Sequence, residues 1–308
     1  MLAKPKFWNW YQYGGSAPPT LFYDFTPGVL PSGLTFTRAT TGTDFNSSKV
    51  LATYAIDTPR FGYDPVTGVI RGLLIEPSAT NYISTSDCLT GWTQNNITAS
   101  SGQVSPDGTT NGVLLTENTS TYFHYEYDAA ASVSSSPVCL SVFAKAGTST
   151  VIQLSTNQTG SPYANFDISS GSLGTAGNFT GAITQSSNSF YRCSAYNSVG
   201  ASTTRYLSFT NNNLSASVRP SYLGSSKNMT VFGAQIEGGN KPTSYIPTSG
   251  SAATRAADVC TFTIPAGIGH LTYTFYDNST QTVAVSAGSY TIPTNLNQPW
   301  IKSIVGSA

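Results

Sequence analysis

The sequence predicts an all-β protein organised around a jelly-roll β-sandwich, with an extended aromatic N-terminal segment and a small C-terminal β domain. Three observations carry this. The 308 residues include 18 Tyr and 15 Phe beside 28 Gly and 17 Pro, the mixture of strand formers and turn formers that sheet proteins use. At least eight strand-like segments of roughly five to nine residues follow one another, bounded by turn residues. Almost nothing repeats with the helical period of about 3.6 residues. Short strands at close spacing are the meter of a sandwich or jelly roll.

Along the chain, residues 1–20 stand apart. FWNWYQY sets Phe7, Trp8, Trp10, Tyr11 and Tyr13 close together, and GGSAPP then interrupts any regular structure. Exposed aromatic clusters mark interfaces, so this segment is predicted to dock into another protein or subunit, with an edge strand folded back on the main domain as the alternative. From LFYDF to GLTFTRAT, PG and PSG break up short strands. YDPVTG (63–68) is a turn, and GVIRGLLIEP is a strand whose Leu73, Leu74 and Ile75 form a buried run. Glu76 follows directly and needs a partner if covered; Arg38, Arg60 and Arg255 are the candidates. SPDGTTNGVLLTE (105–117) turns into a strand. In TYFHYEYDA, alternation places Tyr122, His124, Glu126 and Asp128 on one face, with Phe123, Tyr125 and Tyr127 on the other. Further strands are read at 138–147, 149–156, 188–198, 203–212 and 228–239, with another in YANFDISSGSLG. After Asp258 the texture changes to short strands with tight turns. The expected division is therefore 1–20, 21–259 and 260–308, the last small for a domain that is stable alone.

Charge bounds the partners. Charged residues make up 9% of the chain and the net charge is zero, against about 25% charged in ordinary domains. No basic field exists to attract nucleic acid, and no apolar run approaches the ~20 residues of a membrane helix. The aromatic, Asn- and Gln-broken start does not resemble a secretory leader. Hydroxyls and amides must solubilise the surface, a style suited to particle-bound or extracellular proteins, and near-zero net charge favours association. Cys88, Cys139, Cys193 and Cys260 lack any metal-ligand spacing and are predicted to be free buried thiols. The eight N-x-S/T sequons follow from an Asn-, Ser- and Thr-rich composition.

RGLLIEPSATN, SPDGTT, LSVFAKAG, YRCSA and FGAQIEGGNKPTSYIPTSGSAATRAADV occur in this order, preceded by FTRATTGTDFNSSKVLATYAIDTPRFGYDPVTG. Together they resemble a module of tailed-phage virion proteins, found in tail or head fibres, spikes and minor structural proteins and in related prophage and gene-transfer particles. The resemblance covers about 35–259. It implies that the middle of the chain is similar to a carbohydrate-binding jelly roll without enzyme activity, on the virion surface. The aromatic start and residues 260–308 lie outside the shared pattern. The resemblance also frames a repetition: TFTRAT (35–40) returns as SAATRAADV (251–259), where the chain enters and leaves the sandwich. Both segments are expected at one end of the fold, Arg38 paired with Asp57 or Glu76, and Arg255 with Asp258 or Glu237.

No nucleophile elbow, zinc-protease helix motif, phosphate loop or calcium loop is present. Glu117, Glu126, Asp128 and Asp167 are available carboxylates, but nothing in their spacing singles out the pair that glycoside hydrolysis requires. The expected function is therefore non-catalytic: a fibre or spike subunit that recognises host cell-surface polysaccharide and docks to other virion proteins through its N-terminal segment. A decoration or connector protein without glycan binding is the alternative, and a glycan hydrolase subunit the second. Candidate glycan contacts are Tyr122, His124 and Glu126 with Trp92, Asn95 and Asn96 upstream; Tyr163 with Asn165; and Tyr206 with Asn211. No cofactor is expected beyond a structural Ca²⁺ for which Asp24, Asp258 and Glu237 are candidates. A homo-oligomer is expected, with a trimer favoured and a pentamer the alternative, although no heptad run fixes the number.

Overall fold

A computed structural model describes residues 21–129, 133, 137–158, 160–197 and 204–308. The docking candidates Phe7, Trp8, Trp10, Tyr11 and Tyr13 lie outside the described residues. Among the described residues, regular structure is almost entirely strand, the exception being a short 3₁₀ turn at Ser187–Ser189.

Two six-stranded antiparallel sheets form the sandwich. The back sheet runs Thr180–Gln185, Tyr191–Asn197, Val138–Ala146, Asn228–Gly238, Gly112–Glu117, Ile97–Gln103. The front sheet runs Ser172–Gly177, Tyr163–Asp167, Val151–Thr156, Arg205–Phe209, Tyr125–Asp128, Thr93–Asn95. Neighbours in these orders are mostly distant in sequence, so the chain crosses repeatedly from one sheet to the other. Leu115, Leu140, Val142 and Val231 of the back sheet meet Leu154, Phe166, Leu207 and Phe209 of the front sheet in a core joined by Trp92, Cys88 and Cys193. Burying these apolar side chains is the main favourable term of the fold, at roughly 25 cal/mol per Å² removed from water. All four cysteines are buried and free.

A flanking unit packs behind the back sheet. Its larger sheet runs Thr280–Ala284, His270–Phe275, Trp300–Ser307, Ile70–Leu74, Phe61–Tyr63, with Leu21–Asp24 also paired to Trp300–Ser307. A three-stranded sheet, Thr35–Thr37, Val259–Ile264, Gly288–Thr291, faces it. Phe25, Phe36, Leu73 and Ile75 share one core with Cys260, Phe262, Leu271, Phe275, Ile301 and Ile304. The division expected from sequence is thereby corrected: 260–308 is not a domain by itself. Its few strands cannot enclose enough apolar surface alone, and the strands of 21–75 complete the core. Gly72, at φ 107°, lets the two parts meet, because a Cβ there would run into the Ile301 carbonyl.

The join explains a pattern in the sequence. Val138–Phe143 is buried at every position, since Leu140 and Val142 face the sandwich core while Phe143 turns to a second cluster with Phe45, Leu51, Phe190, Phe232 and Tyr245. A strand covered on both faces reads as a continuous apolar run, and one covered on a single face alternates. The front-sheet strand Tyr125–Asp128 alternates half-buried and buried, so its outer face lies toward solvent.

Candidate functional site

The TYFHYEYDA segment is split by the fold. Thr121–Phe123 pairs with Ser221–Leu223 in a small ribbon, while Tyr125–Asp128 joins the front sheet between Thr93–Asn95 and Arg205–Phe209. His124 falls in the break and is buried, as are Glu126 and Asp128. Their polar atoms face inward because most find partners there. His124 Nδ1 lies 3.0 Å from the Asn96 carbonyl oxygen, and Asp128 pairs with Arg205 at 3.2 Å. Glu126 is the exception: neither carboxyl oxygen has a hydrogen-bond partner among the described residues, and burial, with Asp87 nearby, pushes its pKa well above the ordinary range. Trp92 is core, its Nε1 donating to the Thr85 carbonyl at 2.8 Å. Of the candidate glycan contacts, Trp92, His124 and Glu126 are thus corrected from surface to interior. Tyr122 is 52% exposed on the ribbon.

What the front sheet offers to solvent is the opposite side of the same strand. Register aligns Tyr127, Tyr206, Ser155 and Tyr163 in one row across four strands, with Asn95 and Tyr125 in the row beside it. Tyr125, Tyr127 and Tyr206 form a cluster with ring centroids 5.2, 5.6 and 6.1 Å apart. Each ring is half-buried, so strand packing holds it while one side stays open. Tyr163 lies across Gly177 of the edge strand, where a Cβ would come within 2.5 Å of its ring. The hydroxyls of Tyr125, Tyr127, Tyr163 and Tyr206 make no hydrogen bond among the described residues.

A loop spanning 211–220 covers the other half of this face. Asn165 Nδ2 donates to the Ala216 carbonyl at 2.7 Å and Gln153 Nε2 to that of Ser217 at 2.9 Å, so Asn165 is buried and cannot serve as Tyr163's companion. The loop ends by laying Arg219 over Tyr206, 4.3 Å from guanidinium carbon to ring centroid. Arg219 Nη1 donates to Ser155 Oγ at 3.1 Å and to the Thr156 carbonyl at 3.3 Å. The face therefore combines three clustered phenols, one further tyrosine, the half-buried Asn95 and a fixed cation. Sequence reasoning found Tyr206, Tyr163 and Asn95. It put Tyr125 and Tyr127 on the opposite side from the binding candidates and missed Arg219, which lies outside any strand pattern.

The repeated Arg segments meet at the join between sandwich and flank, as expected, but with partners exchanged. Arg38 pairs with Asp258 at 3.2 Å, and Asp57 accepts only the Arg38 backbone N–H. Arg255 pairs with Glu76 at 3.5 Å, and Arg60 bridges Asp258 at 2.5 Å and Glu76 at 3.0 Å. Ala256 N–H donates to Thr40 Oγ1, tying the two segments directly. Burial would raise the Glu76 carboxyl, but Arg60, Arg255 and the Ser244 hydrogen bonds hold it down at about 2. Glu237 makes no ion pair among the described residues; Gln235 and Thr243 donate to it, and burial lifts its pKa.

With Asp258 holding two arginines and Glu237 bonded to Gln235 and Thr243, these two Ca²⁺ candidates are engaged elsewhere. Among the described residues no three His, Cys, Asp or Glu side chains group as metal ligands. Glu117 accepts from Tyr222 and Ser225, and Asp167 caps the turn at Ser169–Ser170. A separate cleft of about 400 Å³, lined by Asp87, Asp107, Tyr245 and Thr248 among others, lies beside the join and contains none of the expected glycan contacts. Among the described residues no helix is long and apolar enough to cross a membrane. No protein-family model matches the chain, and no curated protein matches it.

Proposed function

We propose that this protein is a non-catalytic subunit of a phage fibre or spike whose sandwich recognises host-surface polysaccharide through the outer face of its front sheet. The observation that carries the reading is the cluster of Tyr125, Tyr127 and Tyr206, packed from below and unbonded at its hydroxyls. A pyranose ring offers an apolar face of C–H groups surrounded by hydroxyls. Aromatic rings bury the first, and phenols, the Asn95 amide and Arg219 bond the second. Rings already fixed by packing lose little freedom on binding, which favours affinity. The sequence likeness to virion proteins supplies the setting, a homo-oligomer on the virion surface; the aromatic cluster of residues 1–20, outside that likeness, is the proposed attachment.

Tyr206→Ala and Tyr127→Ala are each expected to weaken binding to a captured oligosaccharide by about 10- to 100-fold, the range of a buried aromatic anchor, with thermal melting little changed. Glycan-array capture followed by calorimetric titration measures this. Unchanged affinity in both variants excludes the face as the binding site.

The connector reading also has an observation in its favour. Phe22 and Val305 are cross-strand partners on the flank sheet and stand 63% and 42% exposed, directly beside the point where residues 1–20 join. Such a pair suits particle attachment. It is compatible with glycan recognition on the opposite side of the protein, so the two roles divide between flank and sandwich.

A further inference from the structure

We infer that the polysaccharide taken by this face is acidic, and that Arg219 pairs with a carboxylate of its uronic acid residues. The inference rests on the reading of the tyrosine face as a glycan site and adds the class of sugar.

The chain has seven arginines. Five of them (Arg38, Arg60, Arg71, Arg205 and Arg255) pair with carboxylates of the protein. Arg192 is half-buried and donates to Ser141 Oγ at 3.2 Å, with the charge of Glu237 acting on it. Arg219 likewise makes no ion pair among the described residues, and, unlike Arg192 of the back sheet, it lies on the tyrosine face, half-buried and held. Its Nη1 is engaged by Ser155 and Thr156 and its plane rests on Tyr206. That leaves the Nε–Nη2 edge, whose two N–H groups run parallel and bond nothing among the described residues. A parallel pair of donors matches the two oxygens of a carboxylate, and such bidentate pairs are stronger and more directional than neutral hydrogen bonds.

Two further features agree. Arg219 has φ 42° immediately before Pro220, a conformation that non-glycine residues adopt only when their surroundings enforce it; here its own N–H donates to Gln153 Oε1 at 2.6 Å. The face is also free of opposing charge. Asp128 and Glu126 of the central strand point inward, and Asp167 lies four residues along its strand from Tyr163, about 13 Å away, with its carboxylate engaged by Ser169 and Ser170. An anionic sugar meets one cation there and no carboxylate.

The test uses tetrasaccharides from alginate, hyaluronan and polygalacturonate, each beside its carboxyl-reduced neutral form, titrated into the full-length protein. At least one acidic form is expected to bind tenfold or more tightly than its neutral counterpart, a preference on the order of one charge-assisted pair that declines with added NaCl. Arg219→Gln erases the preference, and Arg219→Lys, which keeps the charge but not the fork, retains part of it. The acidic–neutral comparison on the unaltered protein does not depend on whether either variant folds. Equal binding of both forms overturns the acidic assignment and leaves the glycan reading standing. A preference that survives Arg219→Gln in a folded variant overturns the role of Arg219. Binding of neither form overturns both.

Discussion

At the residue scale, two glutamates show how burial decides chemistry. Glu126 is enclosed with no hydrogen-bond partner among the described residues, so the folded chain holds its proton to higher pH than the unfolded chain, which releases it near the ordinary value of 4.5. Stability contributed by this group is full below that pH and declines as pH rises, by up to about 1.4 kcal/mol per pH unit. Glu76 behaves oppositely. Held at about 2 by Arg60 and Arg255 against a usual 4.5, it contributes stability above 4.5 that is lost as pH falls toward 2. Thermal melts across pH are expected to show Glu126→Gln flattening the decline that begins above pH 4.5, while parallel curves for the variant and the parent protein would contradict the assignment. Glu76→Gln is expected to cost about 3–5 kcal/mol at pH 7, because it leaves two buried guanidinium groups short of charge, with the penalty shrinking toward pH 2.

At the element scale, the alternation of residues 123–128 was legible; its orientation, and the break that sets Tyr122 on a separate ribbon, were not. Both sides of the segment mix aromatic and polar groups, so the period of two fixes which residues share a face without saying which face meets the core. Asp128 and His124 point inward because Arg205 and the Asn96 carbonyl, supplied by other strands, receive them. Those partners could not be placed from the segment alone. The run at 138–143, apolar but for Ser141, was legible as strand, and the reason for its burial at every position, cover from sandwich and flank together, required the tertiary arrangement. Arg219 carries no periodic signal at all. Its position depends on a loop crossing the sheet. Element pairing also yields a test: Gly72→Ala sets a methyl group against the Ile301 carbonyl and is expected to part Ile70–Leu74 from Trp300–Ser307. A marked loss of melting temperature checks it, with Gly91→Ala, which meets nothing nearby, as the comparison for the backbone conformation alone.

At the scale of the whole molecule, the chain begins and ends its described course in the same unit. Leu21–Asp24 pairs with Trp300–Ser307, and the sandwich is an excursion between them, bolted at the join by Arg38, Arg60, Arg255, Glu76 and Asp258. The sequence marks that join by repeating TRA, and the exchanged pairing makes it hold entry to exit: Arg38 near the entry grips Asp258 at the exit, and Arg255 at the exit grips Glu76 at the entry. Such buried pairs specify an arrangement more than they add net stability. Removal of 260–308 is expected to abolish cooperative folding of 21–76, because most of their shared core goes with it; near-native hydrogen-exchange protection of those residues in the truncated protein would refute a shared unit.

The central claim concerns the tyrosine face, and NMR of the full protein with ¹³C-labelled tyrosine rings, titrated with an oligosaccharide bound on the array, tests it most directly. The account predicts that resonances of Tyr125, Tyr127 and Tyr206 move together along one binding curve while the buried Tyr245 and Tyr273 stay fixed. Saturable binding with the three rings unmoved, or with shifts confined to Tyr245 beside the cleft, would contradict it.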